Sequence, residues 1–423
     1  MSPPSPHQDA PRSARTPDRL AMLASIAMIA ALGMTIRFAP DFWPSGSSVP
    51  AGTRLIPRPQ IQDFAFLLNY ARGQFPDRDS SPYAVETHRR FMGKWLGEPQ
   101  DWSMCFGWSP TVVAVMAPLF ALPTPAAWAL FCLASAILFL VAARPFATSS
   151  RGATVVLRLA AASPCAIFII GNGQTSPLTT AALLAGVRLL DGERRSAWRD
   201  IALGIGLGLL TFKPPVAILA GAALLASGRW RPMLPAGAVV AAVVAATTLW
   251  FGPQWIGDYV RLLGSYDTDS CDPIFRAGFV PWIMSNLRSV LLMAGAPDGV
   301  ASSVSSACFL GCCGALALAP LVLRRPIAPR VALGSAAMAY CLFAPHLSPS
   351  EDIAILIPAW VALAGQPGAR VTARVVSGCL LVLFAGGATA WLLPMDFLRA
   401  LAPLAGFCGK LLVAAAFAEV SSR

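Results

Sequence analysis

A carboxylate near the start of the chain, Asp63, is the first residue whose type and position suit acid–base chemistry. It lies in "PQIQDFAFLLNYA", whose apolar positions, among them Phe64, Leu67 and Leu68, predict a helix resting on or dipping into the outer membrane surface. Partial desolvation at such a surface makes a carboxylate a better proton acceptor. An acid in a first helical turn also interacts favourably with the helix dipole, so Asp63 alone leaves both interpretations open.

Lys213 is a cation in an apolar setting, between "GIGLGLLTF" and "PPVAILA" at the predicted outer end of a membrane span. It is one of three lysines in the chain, with Lys94 and Lys410. An ionisable side chain at that depth is costly and therefore indicates function. Its compact ammonium group, with three donors, suits a phosphate or diphosphate. Extension of the side chain to the membrane interface is the structural alternative.

His346 stands in "FAPHLSPSEDIAIL", just before another apolar span. Helix capping accounts for Ser350 or Asp352 in this motif, because short polar side chains accept hydrogen bonds from the first helical amides. Capping does not account for the imidazole. His346 can donate a hydrogen bond to a phosphate or orient a hydroxyl group.

Two amides and one aromatic ring complete the candidate set. Asn172 and Gln174 occupy the turn "GNGQTSP", where amides can bind hydroxyl groups of a ligand or satisfy backbone groups, and the sequence does not separate these roles. Tyr83 ends "DRDSSPY" and is a candidate for stacking on a ligand ring. No HExxH, CxxC, P-loop or GxGxxG pattern is present, and the intervening arginine in "DRD" at 77–79 favours ion pairing over metal binding. We therefore expect neither a metal nor a nucleotide cofactor.

The composition places these residues in a membrane protein. Hydrophobic residues make up 56% of the 423 positions, charged residues 13%, and the mean hydropathy is +0.61. Such a chain is an all-α polytopic membrane protein, since water cannot be its main solvent. The net charge of +11 comes from arginines in short clusters between apolar runs, which indicate topology rather than nucleic-acid binding.

The positive-inside rule then orders the apolar runs into about twelve crossings with both termini cytoplasmic. Residues 1–18 are expected to form a disordered cytoplasmic tail, 19–418 a single membrane domain, and 419–423 a short cytoplasmic tail. Residues 38–108 and 251–300 are the two long extracytoplasmic loops. We predict a re-entrant or tilted helix at 109–123, and at 278–295 a helix lying along the outer interface. The predicted spans are roughly 19–37, 125–143, 153–170, 175–190, 200–212, 214–228, 232–250, 301–323, 329–343, 351–365, 371–391 and 397–418.

The ordered motifs resemble those of a known family. The order is an acid followed by Phe after the first span, "PY" in the first outer loop, "PLFALP", "GNGQTSPL", "LLTFKPP" with "GRWR", and "PHLSPSEDIAILIPAW". From about residue 60 to 365 the chain resembles bacterial glycosyltransferase family 87. These are GT-C-fold integral membrane enzymes that include the polyprenyl-phosphate-mannose-dependent mannosyltransferases of phosphatidylinositol mannoside synthesis.

The resemblance implies inverting, metal-independent transfer of a sugar, mannose or another hexose or pentose, from a polyprenyl phosphate to a lipid or glycan acceptor. The reaction would occur on the extracytoplasmic face of a bacterial inner membrane. Asp63 matches the family's proposed general base, Lys213 and His346 match polar positions near the donor phosphate, and Asn172 and Gln174 match the amide motif. The chain departs from the pattern at "GWSP" (107–110) and at the two serines of "DRDSSPY", which leaves donor sugar and acceptor open.

A lipid or solute transporter or flippase is the rival class, because intramembrane cations also mark transport pathways. The lack of an internal repeat and the long polar loop after the first helix favour the transferase. A non-enzymatic membrane scaffold would leave Lys213 and His346 unexplained. Cys105 and Cys271 are both predicted outside, so a disulfide between the two long loops is a further hypothesis.

Overall fold

The computed structural model is built of helices, and no strand occurs in the residues that it describes. These are 62–75, 80–96, 108–149, 173–191, 196–264, 284–344 and 396–421, with scattered positions in 154–170 and 374–382. The helices are α1 Gln62–Gln74, α2 Val85–Leu96, α3 Thr111–Met116, α4 Thr124–Ser149, α5 Ser176–Asp191, α6 Ala197–Leu210, α7 Pro214–Ala226, α8 Met233–Phe251, α9 Gln254–Gly264, α10 Leu287–Met293, α11 Asp298–Leu323, α12 Pro329–Phe343 and α13 Asp396–Ser421.

Proline and glycine set several of the helix ends. Two prolines open α7 directly after Lys213, where the missing amide donors cost nothing. Gly252 follows α8 with φ of 76°, a conformation that glycine adopts without steric cost. Helix α12 ends in the extended residue Ala344, as expected before a proline.

Three helices are long and apolar enough to cross a membrane, namely Thr124–Phe146, Met233–Phe251 and Asp298–Leu323. They confirm the spans predicted at 125–143, 232–250 and 301–323. Shorter apolar helices occupy other predicted spans, at Ser176–Leu190, Pro214–Ala226 and Leu401–Ala416. The predicted spans 19–37 and 351–365 lie outside the described residues, so the count of twelve and the GT-C arrangement stay predictions.

The long helices pack side by side and keep one face apolar and exposed. Helix α4 lies against α5, α8 against α6, and α7 is enclosed by α11 and α12. Outward-facing residues such as Leu140, Leu249 and Leu321 are exposed, with 89% of Leu249 accessible. Large apolar side chains on the outside of a helix indicate contact with lipid rather than water. The fold is that of a helical membrane protein.

The helix predicted around Asp63 exists as α1, but its apolar face packs inside the protein and not against lipid as predicted. Phe64, Phe66, Leu67 and Leu68 are at most 2% exposed, so they lie inside the protein rather than against lipid. The Phe64 ring contacts that of Phe131 on α4, with centroids 5.2 Å apart. An apolar face on a short helix fits a protein core as well as a lipid surface, and here α4 and α2 supply the core.

The two other segments that were singled out also form helices. The stretch 109–123 contains α3 and a 3₁₀ helix at Ala117–Leu119, while its crossing of the membrane stays a prediction. In 278–295, α10 covers Leu287–Met293, but Asn286 and Arg288 are buried instead of facing an interface. Helix α9, within the predicted loop 251–300, was not anticipated from the sequence.

Candidate functional site

The start of α1 lies directly against the turn "GNGQTSP". Asp63 is the second residue of α1, and its side chain lies outside the described residues, as do Asn172 and His346. Its neighbour Phe64 is described. A Cβ atom built on Gly173 would lie 2.6 Å from Cβ of Phe64 and 2.9 Å from Cδ1 of Trp128. The structure therefore brings the acid-Phe motif and the amide motif into contact, although about 110 residues separate them.

This close approach requires glycine. Gly173 has φ of 59°, in the left-handed region, and the contacts with Phe64 and Trp128 leave no room for a side chain. The Trp128 indole nitrogen donates to the carbonyl of Ile170 at 3.2 Å, and the amide of Gln174 donates to that of Ile169 at 3.0 Å. The turn is thus fixed by α4 and by its own backbone, and it holds Gln174 half-buried at the entrance to α5.

Two hydroxyl groups follow Gln174 at the start of α5. Thr175 and Ser176 are 3% and 1% exposed, and neither their Oγ1 nor their Oγ has a hydrogen-bond partner among the described residues. Buried hydroxyls are normally paired, and unpaired ones call for an explanation such as a bound group or water. The two hydroxyls add to Gln174 as polar groups around this turn.

A second contact group holds the turn of Lys213. Ser109 Oγ donates to the carbonyl of Thr211 at 2.7 Å, and the hydroxyls of Thr111 and Thr211 lie 3.0 Å apart. Ser109 Oγ also lies 3.1 Å from the Thr111 hydroxyl. We call Ser109, Thr111 and Thr211 the hydroxyl cluster. It ties the motif "GWSP" to "LLTFKPP" across about 100 residues of sequence.

Lys213 is the N-cap residue of α7, and its side chain is 9% exposed. Its amide donates to Leu210 at 2.9 Å, and its carbonyl accepts from the amide of Val216 at 3.0 Å. The backbone of Lys213 is therefore held on both sides, and the hydroxyl cluster fixes Thr211, two residues before it. A buried ammonium in an apolar protein requires polar or charged partners, which agrees with a role in holding an anion.

Tyr83 lies in an aromatic cluster rather than on an open surface. Its ring is 1% exposed, and its hydroxyl donates to the carbonyl of Trp108 at 3.0 Å. Its ring centroid lies 4.7 Å from that of Tyr259 and 5.8 Å from that of Trp255, both on α9. The Tyr83 aromatic cluster, as we use the term, comprises Phe75, Tyr83, Phe251, Trp255 and Tyr259.

Burial perturbs titratable groups in this region. Burial raises the pKa of Tyr83 well above its usual value, and the neighbouring Tyr259 and Tyr70 raise it further. Burial lowers the pKa of His88 from 6.5 to about 4, against the opposing effect of its bond to the backbone of Ala84. Nδ1 of His88 donates to that carbonyl at 2.9 Å, and the ring stacks on Tyr70 with centroids 4.8 Å apart. Tyr83 and His88 are therefore neutral near pH 7.

Helix α1 connects the two contact groups. Its first residues lie at Gly173, and it also packs against α3, which begins at Thr111 of the hydroxyl cluster. Arg72, near its end, donates to the carbonyl of Leu122 at 2.8 Å, just before α4. Asn69 between them accepts a hydrogen bond from Thr124, the first residue of α4. The motifs carrying Asp63, Tyr83, Gln174 and Lys213 are thus placed around one helix and the elements that it contacts.

The residues near the predicted His346 motif include two that the sequence-based prediction missed. Asn286 Nδ2 donates to the carbonyl of Ala344 at 2.6 Å, and its Oδ1 caps α10 by accepting from Ser289 N at 3.0 Å. Lys410 on α13 is fully buried and donates to the carbonyl of Ser285 at 2.6 Å. The sequence signals that could have identified them are the polar side chain of Asn286 in an apolar stretch and the scarcity of lysine, which singles out Lys410.

The remaining predictions about the site are not tested by these residues. In the described part of the chain, no three His, Cys, Asp or Glu side chains come together as metal ligands would. The Asp63 side chain, His346 and the acids at 77–79 lie outside that part, so metal independence stays a prediction. Cys105 and Cys271, the proposed disulfide partners, lie outside it too.

Comparison with the curated proteins found no match, and comparison with the solved structures found none either. The family model for glycosyltransferase family 87 matches residues 106–349, which is more than half of the chain. The matched region includes the hydroxyl cluster, the Gly173 turn, Lys213 and His346. Those motifs carry the resemblance in the sequence, and the structure brings the described ones into two contact groups around α1. The chain belongs to glycosyltransferase family 87.

Proposed function

We propose that this membrane glycosyltransferase moves a sugar from a polyprenyl-phosphate donor to a hydroxyl group of a lipid or glycan acceptor on the extracytoplasmic face. The sugar is mannose or another hexose or pentose, transferred with inversion and without a metal. The observation that carries the proposal is the meeting of four motif-bearing segments around α1, at the Gly173 turn and at the hydroxyl cluster.

In this proposal Asp63 removes the proton from the acceptor hydroxyl. The hydroxyl oxygen then forms a bond to the anomeric carbon, and the bond from that carbon to the phosphate oxygen breaks. The polyprenyl phosphate leaves with the electron pair, and the proton remains on the carboxylate. One carboxylate on the acceptor side suffices for an inverting displacement.

The donor side of the site is assigned to Lys213 and His346. A phosphate leaving group gains charge as the bond to the sugar breaks, and a fixed ammonium or imidazole donor stabilises that charge in a water-poor site. The hydroxyl cluster supports this role because it fixes the backbone next to Lys213. A cation whose backbone is held on both sides loses little freedom when it meets the phosphate.

The sugar is assigned to the turn that ends in Gln174. Amide and hydroxyl groups at Asn172, Gln174, Thr175 and Ser176 offer donors and acceptors that match sugar hydroxyls. The buried hydroxyls of Thr175 and Ser176, unpaired among the described residues, support this assignment. Tyr83 is kept as a binding residue that would stack on the sugar or acceptor, a role that requires the Tyr83 aromatic cluster to open.

The location of the protein follows from the same proposal. The donor carries a long isoprenoid chain, so donor, enzyme and lipid acceptor meet in one membrane. We place the chain in the inner membrane of a bacterium with both termini cytoplasmic and the site facing outward. The arginine clusters between the apolar runs support that orientation.

Transfer of radiolabel from a polyprenyl-phosphate sugar to an extracted lipid or glycan acceptor, by the purified full-length chain, tests the proposal. Asp63→Asn should lower turnover by about 10²- to 10⁴-fold, the usual worth of general-base catalysis. Glu86→Gln is the matched control, because it makes the same change on an exposed residue of the same predicted loop. The control should keep its turnover.

Full transferase activity in the Asp63→Asn protein would remove Asp63 from the mechanism. A wild-type protein that moves polyprenyl-phosphate sugar between leaflets of a vesicle, and forms no new glycosidic bond with any acceptor, would show the transporter function instead. The two outcomes can be distinguished because only a transferase yields a labelled product that no longer contains polyprenyl phosphate.

A further inference from the structure

The end of α12 is held by buried side chains from two other parts of the chain. Ser305 on α11 donates to the carbonyl of Phe343 at 2.7 Å, and Asn286 Nδ2 donates to that of Ala344 at 2.6 Å. Both side chains are fully buried. The carbonyls at the end of a helix have no partner within it, so these two bonds satisfy them and fix the direction in which the chain leaves α12.

Asn286 uses both ends of its amide in this arrangement. It is the N-cap residue of α10, and its Oδ1 accepts from the amide and from the hydroxyl of Ser289, each at 3.0 Å. A rotated amide would set Nδ2 against an N–H donor and Oδ1 against the carbonyl of Ala344. The two bonds therefore define one orientation of the side chain, and α10 supplies a fixed base from which it reaches α12.

Lys410 on α13 holds the residue that precedes Asn286. Its fully buried ammonium donates to the carbonyl of Ser285 at 2.6 Å. A Cβ atom built on the neighbouring Gly409 would lie 2.8 Å from the carbonyl oxygen of Gly378, so two backbones touch directly beside Lys410. This contact fixes the base of the lysine side chain. An ammonium buried in an apolar helix is costly and indicates function, and the mechanism proposed above does not use it.

The two donor-side candidates are supported in the same way. The hydroxyl cluster fixes the chain two residues before Lys213, and Asn286 fixes Ala344, two residues before His346. Two residues of chain span at most about 7 Å, so a displacement of Ala344 is passed on to His346. Pro345 between them has a fixed φ, which further restricts the link.

We propose that Asn286 is a positioning residue for His346, and that Lys410 holds Asn286 in place through the backbone of Ser285. This inference rests on the proposed function for the role of His346 at the donor phosphate, and it adds the residues that fix its approach. Without the bond to Ala344 the chain leaves α12 in several directions, and the imidazole meets the phosphate in a smaller fraction of molecules. Neither Asn286 nor Lys410 has to touch the donor.

Three substitutions in the full-length protein test the inference. Asn286→Ala removes the donor to Ala344, and Asn286→Asp removes it while keeping an oxygen that can cap α10. Lys410→Met keeps a linear side chain of similar size and removes the donor to Ser285. Thr247→Val is the matched control, because it also removes a buried hydroxyl that donates to a backbone carbonyl, at 2.8 Å, on a helix that carries none of the candidate residues.

Hydrogen exchange of the amides at 346–350, followed by mass spectrometry, measures positioning without any need for activity. We expect exchange there to be at least about tenfold faster in Asn286→Ala and Asn286→Asp than in the wild type, because the chain is no longer held at Ala344. Lys410→Met should increase it less, and Thr247→Val should not change it. Wild-type exchange in both Asn286 variants would overturn the inference.

Transfer kinetics in a second background separate positioning from a merely structural role. Asn286→Ala should lower kcat per folded protein by about 10- to 100-fold in the wild-type background, and by less than about twofold in a His346→Ala protein. KM for the acceptor should not change in either background. A loss that only reflects poorer folding would have the same size with and without His346, and that result would overturn the inference. An equal loss in Thr247→Val would overturn it too.

Failure of the proposed function has a different signature. A wild-type protein that forms no product from any polyprenyl-phosphate sugar, together with the expected exchange pattern, would count against the proposed function and leave Asn286 as the residue that fixes the chain before His346. Full activity of the His346→Ala protein would remove His346 from the donor side, and the claim that Asn286 positions a reacting group would fall with it.

Discussion

Two regions of this molecule use glycine in opposite ways. At the Gly173 turn the surrounding side chains approach so closely that no Cβ fits, and the Tyr83 aromatic cluster is also closely packed. On α8 and α11, Gly237 and Gly314 face open space. The first region fixes motif residues by contact, whereas the second leaves space on two helices that are long and apolar enough to cross a membrane. The comparison indicates that a closely packed turn and loosely packed apolar helix faces occur in one helical domain.

The largest expected effect is that of Gly173→Ala. The left-handed backbone costs a non-glycine residue about 1–2 kcal/mol, and forcing a methyl group against Phe64 and Trp128 costs about 1–3 kcal/mol more. We therefore expect a loss of about 2–5 kcal/mol of stability, together with a loss of transfer activity, because the turn displaces the start of α1. Thermal unfolding of the purified protein, followed by intrinsic fluorescence, measures the first effect.

The same substitution at Gly314 is the control for Gly173→Ala. Gly314→Ala adds a methyl group into open space and should keep or slightly raise the unfolding temperature, because alanine favours the helix. Equal destabilisation by both substitutions would show that the two regions are not built differently. No loss at Gly173 would show that the turn relaxes away from Phe64.

Much of this comparison could not be predicted from the sequence. The membrane helices could be predicted, because apolar periodicity and proline are local signals. The prediction of 232–250 became Met233–Phe251, and that of 175–190 became Ser176–Asp191. The contact between Gly173 and Phe64 joins residues far apart in the chain, and no local pattern reports it. Such contacts depend on how α1, α4 and α5 pack.

The residue types of the candidate site could be predicted from the sequence, but the residues that hold them in place could not. Lys213 was noticeable as a cation in an apolar run, but the hydroxyls that fix its turn are ordinary Ser109 and Thr111 residues. Helix α9 was missed because 251–300 was treated as one outer loop, although Trp255, Tyr259 and Leu262 recur at helical spacing. The packing of Trp255 and Tyr259 on Tyr83 reveals its role. The burial of Tyr83 followed from that helix.

A pH dependence of stability is the next effect, and it belongs to the filled region. His88 has a pKa of about 4 in the folded chain against 6.5 in an unfolded one, because burial disfavours its charged form. Between those values the unfolded chain takes up a proton that the folded chain does not. Stability is therefore complete above pH 6.5 and falls as the pH drops towards 4, by up to about 3 kcal/mol.

His88→Phe separates this effect from general acid sensitivity. Phenylalanine can keep the stacking on Tyr70, and it loses the bond from Nδ1 to the Ala84 carbonyl. The unfolding temperature of the variant should fall less than that of the wild type between pH 6.5 and 4, so the variant should gain stability relative to the wild type as the pH drops. Parallel curves would mean that His88 is not the titrating group. Gly314→Ala, which changes no titratable group, should track the wild type.

The smallest effect tests whether Tyr83 supports the fold or also binds a ligand. Tyr83→Phe removes the hydroxyl that donates to Trp108 at 3.0 Å, and leaves the ring in place against Trp255 and Tyr259. A neutral hydrogen bond of this kind contributes about 1 kcal/mol, so the unfolding temperature should fall slightly. A residue that only supports the fold would leave KM for donor and acceptor unchanged. A raised KM with unchanged kcat would place the Tyr83 hydroxyl in substrate binding, and would mean that the Tyr83 aromatic cluster opens during turnover, unlike the Gly173 turn.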